Sequence, residues 1–216
     1  MDYKTFNDLD TASVERAYRH WAPVYDFVYG NILEQARHAA ATAAQSVGTR
    51  ILEIGVGTGL SFDHYRDGGV RLHGIDLSSD MLTKAREKVS SGRYPNVEEL
   101  ALMDAHQLAY ADGFFDCAVA QFIITLTARP EQVLSECARV LRPGGEIILV
   151  NHLYSERGLA AAVERLVAKP LRPFGLRPEF PLGRLQQWAL ADGRVEFIEA
   201  RRVGLLGSTL VRFRRV

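Results

Sequence analysis

Cysteine is scarce in this chain, with two in 216 residues, so a disulfide framework is excluded as the basis of its stability. Cys117 and Cys137 are not in a C-x-x-C arrangement, and the histidines show no metal-ligand spacing. A cysteine inside an apolar run usually behaves as a small core residue. We therefore predict that one cysteine lies in a buried strand, that the other lies in a helix, and that the protein has no metal site.

Long apolar runs and an excess charge are also missing. No stretch approaches the roughly 18 consecutive apolar residues of a membrane span, and no N-terminal run resembles a signal peptide. Lys+Arg and Asp+Glu both number 26, so the bulk charge does not indicate a nucleic-acid partner, and we expect none. These absences predict a cytoplasmic protein and leave contact with a membrane surface open.

What the chain does have is a glycine-rich turn after an apolar strand. Residues 50–60 read R-I-L-E-I-G-V-G-T-G-L, with the predicted strand at 51–54. A strand that ends in glycines exposes backbone N–H groups, and a following helix adds the positive end of its dipole. Any other side chain at Gly55, Gly57 or Gly59 would disfavour the turn or keep a ligand from the backbone. The stretch predicts a cofactor cradle.

Two common nucleotide sites are excluded by what surrounds this turn. The third glycine of the dinucleotide pattern G-x-G-x-x-G is replaced by Leu60, and the chain has no Tyr-x-x-x-Lys pair. It also has no Gly-Lys-Ser/Thr, which a Walker A loop requires. The cradle is therefore not expected to hold a hydride-carrying dinucleotide or a nucleoside triphosphate.

Strands and helices alternate along the middle of the chain, which favours a doubly wound, mainly parallel sheet. The predicted strands are 51–54, 70–75, 97–102, 115–120 and 146–150, and the predicted helices are 32–46, 80–89 and 130–140. A tight turn at R-V-L-R-P-G-G, residues 139–145, should precede the fifth strand. Two last strands near 195–203 and 207–214 have hairpin spacing and would add an antiparallel edge.

Two aspartates sharpen the identity of the ligand. Asp76 lies 17 residues after Gly59, at the carboxyl end of the predicted second strand, where a carboxylate can accept both hydroxyls of an adenosine ribose. Asp104 follows the third strand and could meet an adenine amino group. Because ligands of open α/β sheets lie across the carboxyl ends of the strands, these features predict a ligand that contains adenosine.

Four motifs carry a family resemblance. They are E-I-G-V-G-T-G at 53–59, D-L-S-S-D-M-L at 76–82, M-D-A at 103–105 and R-V-L-R-P-G-G at 139–145. Together they resemble the class I S-adenosylmethionine-dependent methyltransferases. The resemblance implies an enzyme with a Rossmann-like seven-stranded sheet of order 3-2-1-4-5-7-6, its last strand antiparallel. It also implies S-adenosylmethionine as the cofactor and S-adenosylhomocysteine as the product.

The same resemblance implies roles for individual residues. Gly55 and Gly57 would approach the methionine part, where Gln121 also lies. Asp76 would bind the ribose and Met81 would pack on the adenine, while Asp104, Ala105 and His106 frame the base. The full implied cofactor set is Glu53, Gly55, Gly57, Gly59, Asp76, Leu77, Met81, Asp104, Ala105 and Gln121.

A narrower resemblance comes from the two ends of the chain. H-W-A-P-V-Y-D-F-V-Y-G at 20–30, G-V-G-T-G-L-S at 55–61 and Asn151-His152 are similar to the small soluble bacterial phosphatidylethanolamine N-methyltransferases. That family methylates a lipid amine stepwise towards phosphatidylcholine while resting on the membrane. The resemblance implies a phospholipid substrate, an anionic membrane surface as partner and a peripheral position on the inner face. We expect a monomer with an N-terminal helical lid, 1–30, and a methyltransferase domain, 31–216.

The predicted lid is rich in aromatic and cationic residues. Between 14 and 29 the aromatics are Tyr18, Trp21, Tyr25, Phe27 and Tyr29, interleaved with Arg16, Arg19 and His20. Pro23 should divide the segment into two short helices. Such a segment suits a lipid interface, because aromatics favour the headgroup level and arginines meet lipid phosphates. The alternative is a helix packed on the core with its cations in water.

Candidate catalytic residues lie in the lid and after the fifth strand. A lipid ammonium must lose a proton before methyl transfer, and His152, next to Asn151, could accept it. The rings of Tyr18 and Tyr25 could stabilise the sulfonium and the methylated product by cation–π contact. The alternatives are a structural histidine and plain aromatic packing.

Several arginines are candidates for binding a substrate phosphate, and three functions are compatible with the motifs. Candidates for the phosphate, by charge alone, are Arg177, Arg184, Arg201 and Arg202. From residue 201 onward the chain has five arginines and no acidic residue; this surplus could face phosphate or a membrane, or form a solvated hairpin. Three functions stand: a phospholipid N-methyltransferase, a soluble small-molecule or quinone methyltransferase, and a regulatory module that binds the cofactor without catalysis.

Overall fold

The computed structural model of the protein describes residues 33–65, 69–151, 180–204 and 208–216. Its strands are β1 Arg50–Ile54, β2 Arg71–Asp76, β3 Val97–Leu102, β4 Phe115–Gln121, β5 Leu141–Asn151, β6 Val195–Val203 and β7 Ser208–Arg215. Its α-helices are α1 Glu34–Gln45, α2 Ser79–Ser90, α3 Pro130–Val140 and α4 Leu182–Asp192, and a 3-10 helix covers Phe62–Tyr65.

The seven strands form one sheet in the order β3-β2-β1-β4-β5-β7-β6. The first five strands are parallel, and β7 is antiparallel to both β5 and β6. Parallel strands need cover on both faces, which explains the nearly continuous apolar run of β4. The predicted fold class and strand order are confirmed.

Helices cover the sheet on both faces and create two apolar clusters. Leu52 and Ile54 pack on the side of α3 and α4, whereas Ile51 packs on the side of α1 and α2. The two cysteines divide in the same way: Cys117 of β4 faces the α1 side and Cys137 of α3 lies in the other cluster. Both are buried and unbridged, so their interpretation as small core residues is confirmed.

The start of β5 differs from the prediction. The strand begins at Leu141, five residues before the predicted start at 146. Phe115 pairs with Leu141, but Cys117 pairs with Glu146, so residues 142–145 loop out of the register. A Cβ on residue 145 would lie 2.7 Å from the carbonyl oxygen of Asp116. Gly145 has no Cβ and therefore avoids this clash. The R-P-G-G segment is thus an irregularity within β5, since β5 pairs with β4 both before this segment, at Leu141, and after it, at Glu146.

The second helix begins at Ser79, one residue before its predicted start. Ser78 is the N-cap of α2, and its hydroxyl accepts a hydrogen bond from the Met81 backbone N–H. Met81, Leu82 and Ala85 are buried on one face. This cap places Met81 beside the carboxyl end of β2, where the ligand site is predicted.

Other predictions fall outside the described residues. The N-terminal lid at 1–30, with its boundary to the methyltransferase domain, is one of them, and the proline-rich stretch before Phe180 is another. Both therefore stay predictions. Over the described ranges, no helix combines the length and the apolar character that a membrane crossing requires.

Candidate cofactor and active site

A pocket opens at the carboxyl ends of β1 to β4, between the glycine turn and the loops that follow β3 and β4. Nine of the ten predicted cofactor residues line it: Glu53, Gly55, Gly57, Asp76, Leu77, Met81, Asp104, Ala105 and Gln121. Gly59 is the exception, and a Cβ there would collide with the ring of Phe62. Gly59 therefore serves the turn and its packing instead of lining the pocket.

The glycine turn leaves space for a ligand against its backbone. Gly55, Gly57 and Gly59 all have positive φ, between 56° and 76°, a region that residues with a Cβ rarely adopt. A Cβ on Gly57 would meet no atom within 4 Å, so the space in front of it belongs to the pocket. A Cβ on Gly55 would lie 2.9 Å from the Ile123 side chain, which closes over the turn from β4.

Asp76 is held in place by backbone donors. Its Oδ2 accepts a hydrogen bond from Gly57 N–H at 2.8 Å, and its Oδ1 accepts one from Ser78 N–H at 2.9 Å. Burial raises the pKa of this carboxyl, and the backbone bonds offset part of that rise. Each carboxylate oxygen keeps a further lone pair. The arrangement suits an acceptor of two adjacent hydroxyls, as the ribose interpretation requires.

Asp104 is connected to the loop before α3 through a histidine. Its Oδ1 accepts from the backbone N–H of His106 at 2.9 Å and lies 2.6 Å from His106 Nδ1. His106 is 8% exposed, and its Nε2 lies 2.9 Å from Thr127 Oγ1. Partial burial raises the pKa of Asp104, but the bonds from His106 outweigh it and hold the pKa below its ordinary value. The second oxygen of Asp104 has no hydrogen bond within the described part of the chain.

Glu53 forms a buried polar group at the opposite end of the pocket. It is 3% exposed, its Oε2 accepts from Ser61 Oγ at 2.8 Å, and its Oε1 accepts from Gln121 Nε2 at 3.1 Å. Burial is the main reason that its pKa rises to about 7. Among the described residues, Gln121 Oε1 is buried and finds no donor. A buried acceptor without a donor calls for an explanation, and a ligand ammonium would supply one.

The loop after β4 is held in a strained conformation. Phe122 has φ 59°, the one positive φ of a non-glycine residue in the described ranges, and its N–H donates to the Val150 carbonyl at 2.7 Å. Such a conformation costs on the order of 1 kcal/mol or more. In return, the chain turns sharply so that Ile123 covers Gly55 and Phe122 lines the pocket.

The predicted catalytic residues are only partly described. Asn151 ends β5, is 1% exposed, and its Oδ1 is 3.4 Å from Thr125 Oγ1, a long hydrogen bond. Its Nδ2 is buried without an acceptor in the described part. Asn151 does not line the pocket. Tyr18, Tyr25 and His152 lie outside the described residues, so all four catalytic assignments stay predictions.

Most of the arginines proposed for the substrate phosphate have internal partners. Arg184 makes two hydrogen bonds to Glu131, at 2.5 and 3.0 Å, and Arg201 lies 3.8 Å from Glu199. In β7, Arg212 and Arg214 both pair with the buried Glu146. Arg215 donates to two backbone carbonyls, those of Arg139 and Leu141. Most of the C-terminal arginines therefore have acceptors within the fold, while Arg177 is outside the described residues.

Other residues also line the pocket without belonging to the predicted set, among them Arg37, Ser61, Phe122 and Thr127. Ser61 could have been inferred from its position just after the glycine turn. Arg37 also had a signal, because it is the one arginine in an otherwise alanine-rich helix. Phe122 and Thr127 lie in a loop whose path the sequence does not reveal. In the described ranges, no group of His, Cys, Asp or Glu side chains could hold a metal ion.

Comparison with known proteins agrees with this geometry. A family model described as a methyltransferase domain matches residues 52–149, from β1 to β5. A phosphatidylethanolamine N-methyltransferase from Cereibacter sphaeroides is 40% identical over 208 residues, which is 96% of this chain and 100% of that protein. A demethylmenaquinone methyltransferase from Paenarthrobacter aurescens is 30% identical over 167 residues, 69% of this chain and 64% of that protein.

Among solved structures, an S-adenosylmethionine-dependent methyltransferase from Thermotoga maritima superposes with a TM-score of 0.66 and 18% identity, covering 93% of this chain and 99% of that one. Identity at this level supports the fold alone. The Cereibacter relative, matched over its whole length, supports the family. The protein therefore belongs to the class I S-adenosylmethionine-dependent methyltransferases, with S-adenosylmethionine as its cofactor.

Proposed function

We propose that this methyltransferase acts on the amine headgroup of phosphatidylethanolamine, stepwise towards phosphatidylcholine, at the membrane surface. The carrying observation is the 40% identity to the Cereibacter enzyme, which extends over 96% of the chain. At most eight residues lie outside that match, so it includes both ends of the chain. The quinone-type relative matches 69% of the chain. The ends are where a substrate is recognised, because the middle of the chain builds the cofactor pocket.

The pocket residues fit the cofactor at three points. Asp76 would accept the ribose hydroxyls, Asp104 would accept from the adenine amino group, and Gln121 Oε1 would accept from the methionine ammonium. When bound, S-adenosylmethionine supplies an electrophilic methyl group on a sulfonium. The protein then has to exclude water and position the attacking amine, and the apolar Phe122 and Ile123 favour a dry site.

The substrate amine must also be neutral when it reacts. His152 follows Asn151 at the end of β5, and Val150 of β5 pairs with Gln121 at the end of β4. β5 therefore ends at the edge of the sheet that holds the pocket. We assign His152 as the proton acceptor and Tyr18 and Tyr25 as rings that stabilise the cationic groups. Residues 1–30 are assigned to membrane contact, with the protein peripheral on the inner face of the membrane and monomeric.

The test is a methylation assay with the full chain, radiolabelled cofactor and liposomes of phosphatidylethanolamine with an anionic lipid. Thin-layer separation should show mono-, di- and trimethylated lipid in order of time. Turnover of soluble amines without liposome binding, and no labelled phospholipid, would contradict the proposal.

A quinone substrate is the second candidate, supported by the 30% identity to the demethylmenaquinone methyltransferase. Replacing the lipid with demethylmenaquinone in the same assay distinguishes the two, because a quinone is methylated at carbon and gives a labelled product that migrates apart from phospholipids.

A substitution in residues 1–30 tests the assignment of this segment to membrane contact. Trp21→Glu should weaken liposome flotation while the affinity for S-adenosylhomocysteine stays unchanged. Leu190→Glu is the control, because Leu190 is 85% exposed on α4 and also exchanges an apolar side chain for an acidic one. Equal loss of flotation in both variants would indicate a general charge effect, and loss of cofactor binding in Trp21→Glu would indicate a folding role.

A further inference from the structure

Arg37 brings a buried positive charge into the cofactor pocket. It lies on the face of α1 that also carries Ala36, Ala40, Ala41 and Ala44, all at most 1% exposed. These small side chains allow the helix to pack closely on β4 and β5. Arg37 itself is 6% exposed, lies near the N-terminal end of α1 and lines the pocket. A long cationic side chain is unusual on such a face, since the next turn of the helix carries the small buried residues Ala40 and Ala41 at the corresponding positions.

The surroundings of Arg37 place its charge at one end of the pocket. Its Nη2 donates to Glu34 Oε2 at 3.3 Å, and its charge acts on Glu53, lowering a pKa that burial has raised. Glu53 in turn contacts Ser61 and Gln121. Arg37 therefore lies at the Glu53 end, where the methionine part is expected, and apart from the adenine end at Asp104.

The two charged groups at the amino-acid end of the cofactor need different partners. One is an ammonium and the other is a carboxylate. Glu53 and Gln121 Oε1 are acceptors and suit the ammonium, whereas a carboxylate needs a donor, best a guanidinium that can bind it with two hydrogen bonds. Of the described residues that line the pocket, Arg37 alone carries a permanent positive charge. We propose that Arg37 binds the α-carboxylate of S-adenosylmethionine and thereby selects ligands that keep their amino-acid end.

The test compares two ligands that differ in this group. S-adenosylhomocysteine and its decarboxylated analogue are titrated into the full chain by calorimetry, with the original protein and with Arg37→Gln. For S-adenosylhomocysteine, the variant should bind about 10- to 150-fold more weakly, the range expected for hydrogen bonds to a charged group. For the decarboxylated analogue, the affinities of the two proteins should agree to within about twofold, because this ligand lacks the carboxylate that Arg37 would bind.

Two further variants keep the result interpretable. Arg37→Lys retains the charge without the two-pronged geometry and should fall between the original protein and Arg37→Gln for the carboxylate ligand; if Arg37→Gln does not fold, Arg37→Lys provides the comparison. Arg86→Gln is the matched control, because Arg86 is exposed on α2 and donates to the Leu100 carbonyl. It should leave both affinities unchanged.

Equal loss for both ligands in Arg37→Gln would overturn the proposal, since Arg37 would then act by supporting Glu34 and Glu53. No loss for either ligand would overturn it as well. The proposal depends on the cofactor and not on the lipid substrate. A failed lipid assay with an intact ligand difference would therefore reject the phospholipid function and leave the role of Arg37 standing.

Discussion

Neutralising Glu53 should remove a pH dependence from the stability of this protein. The carboxyl is buried, and its pKa in the folded protein rises from an ordinary 4.5 to about 7. The folded state therefore holds a proton that the unfolded state releases between these values. The stability that this proton contributes is fully present below about pH 4.5 and is lost as the pH rises to about 7.

The shift sets the size of the effect. At about 1.4 kcal/mol for each pKa unit, the whole shift corresponds to roughly 3 kcal/mol of unfolding free energy. Between about pH 5.5 and pH 8 the loss is about 2 kcal/mol, because the unfolded state has already released most of its proton at pH 5.5 and the first part of the loss lies below that pH. Glu53→Gln cannot ionise. Its amide can still accept from Ser61, and Gln121 can turn its unsatisfied Oε1 towards the new N–H.

Urea unfolding at the two pH values measures the difference. Other carboxyls change stability in both proteins equally, so the comparison of the original protein with Glu53→Gln isolates this group. The original protein should lose about 2 kcal/mol more than the variant between the lower and the higher pH. Glu87→Gln, on the exposed side of α2, controls for net charge and should follow the original protein. Parallel profiles for all three proteins would refute the reasoning.

Three other outcomes are expected. Asp76→Ala should lose most of the affinity for S-adenosylhomocysteine in calorimetry, because the ribose hydroxyls lose their acceptor; unchanged binding would move the site. Gly55→Ala should weaken binding and lower the melting temperature, since its φ is +69° and its Cβ would meet Ile123; a fully active, stable variant would contradict the described turn. Arg139→Ala should destabilise the protein by about 3 kcal/mol in urea, because Arg139 bonds Glu136, Asp112 and the carbonyls of Leu108 and Tyr110; a loss below about 1 kcal/mol would show that water replaces these bonds.

The parts of the structure that could be predicted depend on local sequence. The glycine turn and Asp76 at the end of β2 both follow from short patterns with a physical cause. Strand β3 and helix α3 begin and end at the predicted residues. The strand order came from the family resemblance and is confirmed, whereas alternation by itself predicted only a parallel, doubly wound sheet.

The parts that could not be predicted depend on contacts between distant residues. The early start of β5 requires Leu141 to pair with Phe115, 26 positions earlier. The C-terminal arginines look like a free basic surface in the sequence, but in the fold Glu146 pairs with Arg212 and Arg214, and Glu199 pairs with Arg201 and Arg212. Arg37 shows no ligand chemistry until α1 is placed against the pocket. In each case the sequence contains both partners without indicating that they meet.

The paired arginines of the C-terminal hairpin have a consequence for how the protein could be engineered. Since Arg201, Arg212, Arg214 and Arg215 bind acceptors within the fold, much of the positive charge of the hairpin is engaged internally, and we expect the sheet to attract an anionic bilayer only weakly. Affinity for lipid would then be a transferable property of the terminal segment, separate from the catalytic body. Grafting residues 1–30 onto a relative that acts on soluble substrates should bring that enzyme to liposomes, and its recruitment should fade with added salt.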